Sequence, residues 1–404
     1  MSDMSGETTL APADLAIPMI APRQNWLVNA LLSNVRCGRL TVVTPSGTQL
    51  THTQTAPGPE GTMVLHRWRT LHRLLTGGDV AGGESYVDGD WSTPDLPSLI
   101  ELVARNATLV QAIGGSWFAR MLNNLHHRLN ANTKRGSKRN IVRHYDLGND
   151  FYAAWLDPGM TYSSALYHTG SETLEDAQTA KQDRAIELLD VKGQERVLEI
   201  GCGWGGLAER LIQRAQCHVT GVTLSPSQLA FASSRVLPAD LRLQDYRDTG
   251  GTFDRIVSIE MLEAVGESWW PSYFASLRDR LRPGGRAVLQ AITIAEERFD
   301  DYRSCADFIQ RYIFPGGMLP SMTEMRRQIA AAGLELRSVE TFGDSYARTL
   351  SEWRRRFLLA WPEIAKQGFD IRFKRMWDYY LSYCEAGFRS AATDVGLYVV
   401  VKPT

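Results

Sequence analysis

Between residues 172 and 292, short apolar runs alternate with stretches that carry apolar residues on one helical face only. The spacing predicts a helix over 174–189, a strand over 196–200 and a helix over 206–215. In the latter, Leu207, Ala208, Leu211 and Ile212 share one face. A strand His218–Thr223, a helix 226–235, a strand Leu241–Leu243 and a buried strand Phe253–Ile259 follow. A helix 269–281, a turn Arg282-Pro283-Gly284-Gly285 and a strand Arg286–Ile292 complete the pattern. Strands that alternate with helices imply a parallel sheet covered on both faces.

The flanks read differently. Residues 25–115 have an α+β pattern, with strand candidates Leu40–Val43 and Met63–Leu65 separated by turn-rich segments. The run Gly82–Trp91 predicts turns from its glycines and acids, and packing from Tyr86 and Trp91. Leu96 to Ala112 has helical spacing, and no internal repeat is present. The last third is rich in aromatics, including Trp353, Phe357, Trp361, Phe373, Trp377, Tyr379, Tyr380 and Phe388. At helical spacing these pack a core, and the same surface can line a cavity for a long apolar substrate.

Composition adds boundaries. The chain has 404 residues, which favours two domains, and its net charge of −1 gives no global attraction to nucleic acid. Local charge is another matter: His126, His127, Arg128, Lys134, Arg135, Lys138, Arg139 and Arg143 fall in one segment, 123–143. It reads as a solvated linker or as a basic stretch that meets the phosphates of a membrane surface. The five cysteines are scattered without a CxxC pair, which argues against zinc and disulfides and fits a reducing cytosol. No run of about 18 apolar residues occurs. Residues 1–20 lack the pattern of a secretory signal and read as a disordered leader.

The candidate chemistry starts at Val197–Gly206. An apolar strand ending in Glu199-Ile200 breaks into glycines at 201, 203 and 205, then into a helix. Such glycines let the backbone turn tightly and lie against a ligand. The spacing is G-x-G-x-G, not the dinucleotide G-x-G-x-x-G. With an acid just before it, the loop suits S-adenosylmethionine (SAM), which has no phosphates to cradle.

Six further segments make the reading specific: Arg143–Tyr152, Met160–Ala165, Gly221–Gln228, Ser258–Gly266, Phe308–Gly317 and Phe342–Tyr346. In this order and spacing the chain resembles the cyclopropane-fatty-acyl-phospholipid synthase family from about residue 30 to 400. That family includes mycolic-acid methyltransferases and relatives that make methyl-branched or methylene fatty acids. Glu84–Trp91 looks like the N-terminal module of its phospholipid-acting members. The resemblance implies a doubly wound, seven-stranded α/β SAM-methyltransferase fold with a smaller α+β N-terminal domain. The implied division is a leader 1–20, a lipid- or membrane-interacting domain 21–122, a basic linker 123–143, and a catalytic domain 144–404 with an aromatic acyl-chain-binding insertion.

It also implies site residues. Tyr162 and Ser163 would approach the methionine part of SAM, with Gly201 and Gly203 beneath the cofactor. Thr223, Leu224 and Gln228 would take the ribose, Asp245 and Tyr246 would flank the adenine, and Ile259 would line the floor. An alkene attacks the SAM methyl and leaves a carbocation, which must then lose a proton. In the family a bound bicarbonate stands near that cation; Ser164, Glu263, Gln290, Ile292 and Tyr346 would surround it here. Three positions depart from the synthase pattern: Ser164 stands for a cysteine, Gln290 for a histidine, and Ala264 for the histidine after the glutamate. Ser164 still offers a backbone N–H and Gln290 an amide donor, but Gln290 cannot relay a proton. Ring closure and a methylated or methylene product both stay open. The implied setting is an unsaturated phospholipid substrate, a homodimer, and a cytoplasmic protein peripheral to the inner membrane surface, with no metal. The alternatives are an amine N-methyltransferase on the same core and a non-catalytic binding protein.

Overall fold

The computed structural model describes residues 22–54, 56–106, 147–236 and 238–404. The leader, the basic segment 123–143, the helix end near Ala112 and Arg143–Asp146 of the first motif lie outside the described residues.

The N-terminal unit contains α1 (Pro22–Leu32), β1 (Arg39–Val43), β2 (Gln49–Thr53), β3 (Glu60–Leu65), α2 (Arg69–Val87), β4 (Trp91–Ser92) and α3 (Leu96–Arg105). Its sheet has the order β2-β1-β3-β4. β2 escapes the hydrophobic pattern because it is an edge strand, Gln-Leu-Thr-His-Thr, with no buried position. The turns expected over Gly82–Val87 are helix instead, since α2 runs to Val87 and bends at Gly78 (φ +69°). The glycines serve close approach: a Cβ on Gly83 would lie 2.6 Å from the Phe308 ring and 2.8 Å from Tyr379. Asp90 ends this segment as a buried carboxylate held by Arg69 at 2.7 Å and by Arg67 and Arg73 at 3.3 Å.

The larger unit runs through α4 (Asn149–Ala153), α5 (Leu174–Leu189), β5 (Arg196–Ile200), α6 (Gly206–Ala215), β6 (His218–Thr223), α7 (Pro226–Arg235), β7 (Asp240–Leu243), β8 (Phe253–Ile259), α8 (Trp270–Arg280) and β9 (Leu281–Ile294). It ends with α9 (Glu296–Ser304), α10 (Phe308–Tyr312), α11 (Met322–Ala331), β10 (Glu335–Thr341), α12 (Gly343–Lys366), α13 (Ile371–Arg389) and β11 (Thr393–Val401). The starts of α5 and α7 are capped by Thr173 and Ser225, whose side chains accept the N–H of Asp176 and Gln228.

The seven strands are ordered β10-β11-β9-β8-β5-β6-β7. β5 to β9 are parallel, and β11 runs antiparallel to both neighbours. The turn expected at Arg282–Gly285 is absorbed into β9 as an irregularity, where the register jumps from Phe253↔Leu281 to Arg255↔Arg286. Successive residues serve opposite faces: Leu198, Ile256 and Leu289 pack one core, Val197, Val257 and Val288 the other. That is the doubly covered sheet the pattern predicts.

α12 and α13 pair as a hairpin and bury an aromatic cluster with α4, in which Phe151, Trp155, Trp353, Phe357 and Trp377 are almost fully enclosed. The two units are less separate than the sequence division implies. Phe308 and Tyr379 belong to the N-terminal core, and the Tyr86 hydroxyl donates to Asp378 on α13 at 2.7 Å. Among the described residues no helix is long and apolar enough to cross a membrane.

Candidate active site

The glycine loop leaves β5 at the carboxyl edge of the sheet. Gly201 and Gly203 have φ of +82° and +51°, where glycine is favoured. At Gly201 a Cβ would strike the Met261 side chain at 2.4 Å; at Gly203 it would meet nothing within 4 Å and would project into open space. That space is a cavity at the ends of β5, β6 and β8. All ten residues expected to hold the cofactor line it: Tyr162, Ser163, Gly201, Gly203, Thr223, Leu224, Gln228, Asp245, Tyr246 and Ile259. Lys181, Glu199, Trp204, Arg247, Glu260 and Met261 line it as well.

Several walls are held by polar pairs. The Thr223 hydroxyl donates to Gln228 Oε1 at 2.8 Å. Arg247 grips both oxygens of Asp245, at 2.8 and 2.6 Å, and its guanidinium lies over Trp269. The Tyr246 ring meets Tyr273 edge-on. Tyr162 shares a 2.7 Å hydrogen bond with Tyr380, and its ring contacts Tyr152, Trp155 and Trp353. A neutral pocket for sugar hydroxyls, an aromatic edge and an open glycine cradle suit the ribose, adenine and methionine parts of SAM, so the residues present fit this cofactor.

The five residues expected at the cation do not line this cavity themselves. They meet behind it, and four of them meet on two carboxylates. Glu260 Oε1 accepts from the Ser164 N–H at 2.8 Å and from Gln290 Nε2 at 2.7 Å; its Oε2 accepts from the Tyr346 hydroxyl at 2.6 Å. Glu263 Oε1 accepts the Ile292 N–H at 2.6 Å. Ser164 thus acts through its backbone, as its departure from cysteine allows. Tyr346 is buried on α12, its ring tilted against Phe388.

The same geometry corrects one expectation. The four donors implied for bicarbonate, from Ser164, Gln290, Tyr346 and Ile292, are already engaged by this chain's own carboxylates. The residues present do not fit a bound bicarbonate.

Burial shapes the charges. Glu263 is pushed up to about 8 by burial and by the neighbouring Glu260. Glu199, 3% exposed, is pushed up to about 8 by burial, opposed by Lys181. Lys181 is itself lowered to about 8 by burial, against the pull of Glu260, Asp157 and Glu199. For Glu260, burial raises the carboxyl, while the Tyr346, Ser164 and Gln290 hydrogen bonds and Lys181 oppose that rise.

In the sequence reading Glu260 is only one residue of the segment Ser258–Gly266, and Lys181 and Gln178 carry no role. Lys181 donates to Ser163 Oγ at 2.6 Å, and Gln178 Nε2 donates to the Ser163 carbonyl at 2.8 Å. The one signal available was their three-residue spacing on a helix face otherwise packed with apolar residues.

Comparison with known proteins places this site. The mycolic acid cyclopropane synthetase family profile matches residues 132–397. The tuberculostearic acid methyltransferase UfaA1 of Mycobacterium tuberculosis (strain ATCC 25618 / H37Rv) is 38% identical over 356 residues, 84% of this chain and 83% of the relative. The cyclopropane-fatty-acyl-phospholipid synthase of Escherichia coli (strain K12) is 40% identical over 335 residues, 81% of this chain and 84% of the relative. The crystal structure of the mycolic acid cyclopropane synthase CmaA1 complexed with SAH and CTAB superposes with a TM-score of 0.61 at 28% identity, covering 66% of this chain and 98% of that one. The glycine cradle, the cavity and these likenesses agree: the chain is a SAM-dependent methyltransferase and belongs to the mycolic acid cyclopropane synthetase family.

Proposed function

We propose that this enzyme transfers the methyl group of SAM to the cis double bond of an unsaturated acyl chain in a membrane phospholipid. The route is a carbocation, and the product a cyclopropane or a methylated or methylene fatty acid. The observation that carries this reading is the meeting of two environments at Tyr162. Tyr162 lines the cofactor cavity, while its hydroxyl bonds to Tyr380 and its ring packs on Tyr152, Trp155 and Trp353 of the aromatic cluster. SAM supplies an activated methyl at such a junction. An aromatic wall there suits a long hydrocarbon and keeps water from the cation. The names of the two relatives above, each matched over more than four-fifths of this chain, point the same way.

In this reading the ten cavity residues hold SAM, and Tyr346, Gln290, Ser164, Ile292 and Glu263 organise the side of the site where the cation forms. The N-terminal unit and the basic segment 123–143 bring the enzyme to the inner membrane surface as a peripheral, homodimeric cytoplasmic protein. The family resemblance and the cluster of eight basic residues support this setting.

Incubation with labelled SAM and vesicles of unsaturated phospholipid, with small amines in parallel, tests the function. Label in lipid supports it, and mass spectrometry with NMR of the released fatty acids identifies the product. Label only in amines, or none, overturns it in favour of an N-methyltransferase or a binding protein.

A further inference from the structure

We infer that Glu260 is the built-in carboxylate of this active site: it stands among the donors that would otherwise hold a bicarbonate, and it takes the proton released by the methylated acyl chain. This rests on the acyl-chain reading above.

Three donors from three separate parts of the chain converge on this one side chain: the Ser164 amide before α5, the Gln290 amide on β9 and the Tyr346 phenol on α12. Residues that far apart in sequence meet on one carboxylate only because the tertiary fold brings them there. The Glu260 N–H is anchored on the Gln290 carbonyl at 2.8 Å, so backbone and side chain are both fixed.

The backbone at this position is strained. Glu260 has φ +50°, a left-handed conformation that favours glycine. A residue with a side chain persists in such a state when its surroundings over-determine it, and such residues cluster at functional sites. Glycine at this position would relieve the strain and would empty the space between the donors.

The lone pairs of the carboxylate leave one position open. A carboxylate oxygen accepts about two hydrogen bonds. Oε1 already takes two, from Ser164 and Gln290, while Oε2 takes one, from Tyr346. Oε2 therefore keeps a free acceptor position, and Glu260 lines the cofactor cavity. Glu263 is unsuited to accept this proton, because it does not line the cavity, whereas Glu260 does.

The chemistry balances without any further reagent. The π pair of the alkene forms the new C–C bond to the methyl carbon, and the C–S bonding pair returns to sulfur. The cation then loses a proton, which passes to Glu260 Oε2. If it comes from the transferred methyl, the C–H pair closes a ring bond onto the cationic carbon; if it comes from a carbon next to the cation, the pair becomes a double bond, and an exocyclic methylene forms when a 1,2-hydride shift first moves the cation to the methyl-bearing carbon. A tethered base cannot leave between turnovers, so turnover does not depend on dissolved carbonate.

The test compares wild type, Glu260→Gln and Glu260→Gly in carbon-dioxide-free buffer and with added sodium bicarbonate, using labelled SAM and unsaturated phospholipid vesicles. Calorimetric SAM binding reports folding. Wild type is expected to turn over equally in both buffers. Glu260→Gln should bind SAM and lose about 100- to 10,000-fold in turnover, the usual range for a general base. Glu260→Gly should be inactive without bicarbonate and partly restored by it. A wild type that stops when carbonate is removed, or a SAM-binding Glu260→Gln at wild-type turnover, overturns the inference. A wild type that labels no lipid in either buffer overturns the acyl-chain reading instead.

Discussion

Lys181 Nζ lies 2.6 Å from Ser163 Oγ, so a fully buried cation on α5 holds the residue next to the amide that binds Glu260. The contact joins position and charge. Gln178, one helical turn earlier, takes the Ser163 carbonyl, and the two side chains together fix the 162–164 segment. Lys181 also opposes the negative charge of Glu260, Glu199 and Asp157 inside a region that water does not screen.

Lys181→Met is therefore expected to shift the pH profile of turnover. The groups that bear on Glu260 are Lys181 on α5, Glu263 after β8, Gln290 on β9, Tyr346 on α12, Cys384 on α13 and the Ser164 amide. Glu199 and Asp157 act on it through Lys181. Removing the cation raises the Glu260 carboxyl, so the acidic limb of turnover should move to higher pH. A profile measured at saturating SAM checks this. A lower melting temperature with an unmoved profile would mean that Lys181 is only structural.

Glu263 predicts a pH-dependent stability. Its folded value, about 8, lies above the ordinary carboxylate range, so its contribution is complete below about pH 4 and is lost as pH rises through 8. Glu263→Gln removes that titration. Relative to the variant, wild type should lose on the order of a few kcal/mol between pH 5 and 8. Urea unfolding at both pH values measures it, and a constant difference would refute it.

Gly203→Ala should separate binding from folding. Its Cβ would meet no protein atom within 4 Å, so the new methyl enters the cofactor space. The left-handed backbone adds about 1–2 kcal/mol of strain. SAM affinity should fall at least tenfold in a protein that still unfolds cooperatively. Unchanged affinity by calorimetry would place the cofactor elsewhere.

Asp90→Ala should cost about 1.5–3 kcal/mol, because the buried carboxylate that accepts from the Arg67, Arg69 and Arg73 guanidinium groups is lost. Thermal unfolding of the variant checks this. A shift no larger than that of an exposed pair such as Lys366–Glu363 would show that the cluster adds little to the N-terminal unit.

Neutralising Lys134, Arg135, Lys138 and Arg139 together should weaken binding to anionic vesicles by about 1 kcal/mol per charge, and salt should weaken wild-type binding likewise. Sedimentation with vesicles reads both. Binding insensitive to the four changes and to salt would assign membrane contact to another surface.

Periodicity made the central sheet legible, since Val197–Ile200 and Phe253–Ile259 read as buried strands, and the glycine loop lies in order beside them. Where the local pattern failed, a long-range partner had replaced it. Gly82 and Gly83 look like a turn until Phe308 and Tyr379 arrive to pack on them. β2 and β10 carry too few apolar residues to announce themselves, and each is held by hydrogen bonds to a neighbouring strand.

The sequence by itself determined the family, the cofactor loop and the set of residues that gather around the site, because these depend on local order and spacing. Only the tertiary structure decided which carboxylate occupies the centre. Residues 164, 260, 290 and 346 lie on four separate parts of the fold, and no spacing along the chain says that their donors converge on Glu260 rather than on a free anion. That outcome depends on a left-handed turn after β8, which aims one side chain inward, and on a buried lysine on α5 that opposes its charge.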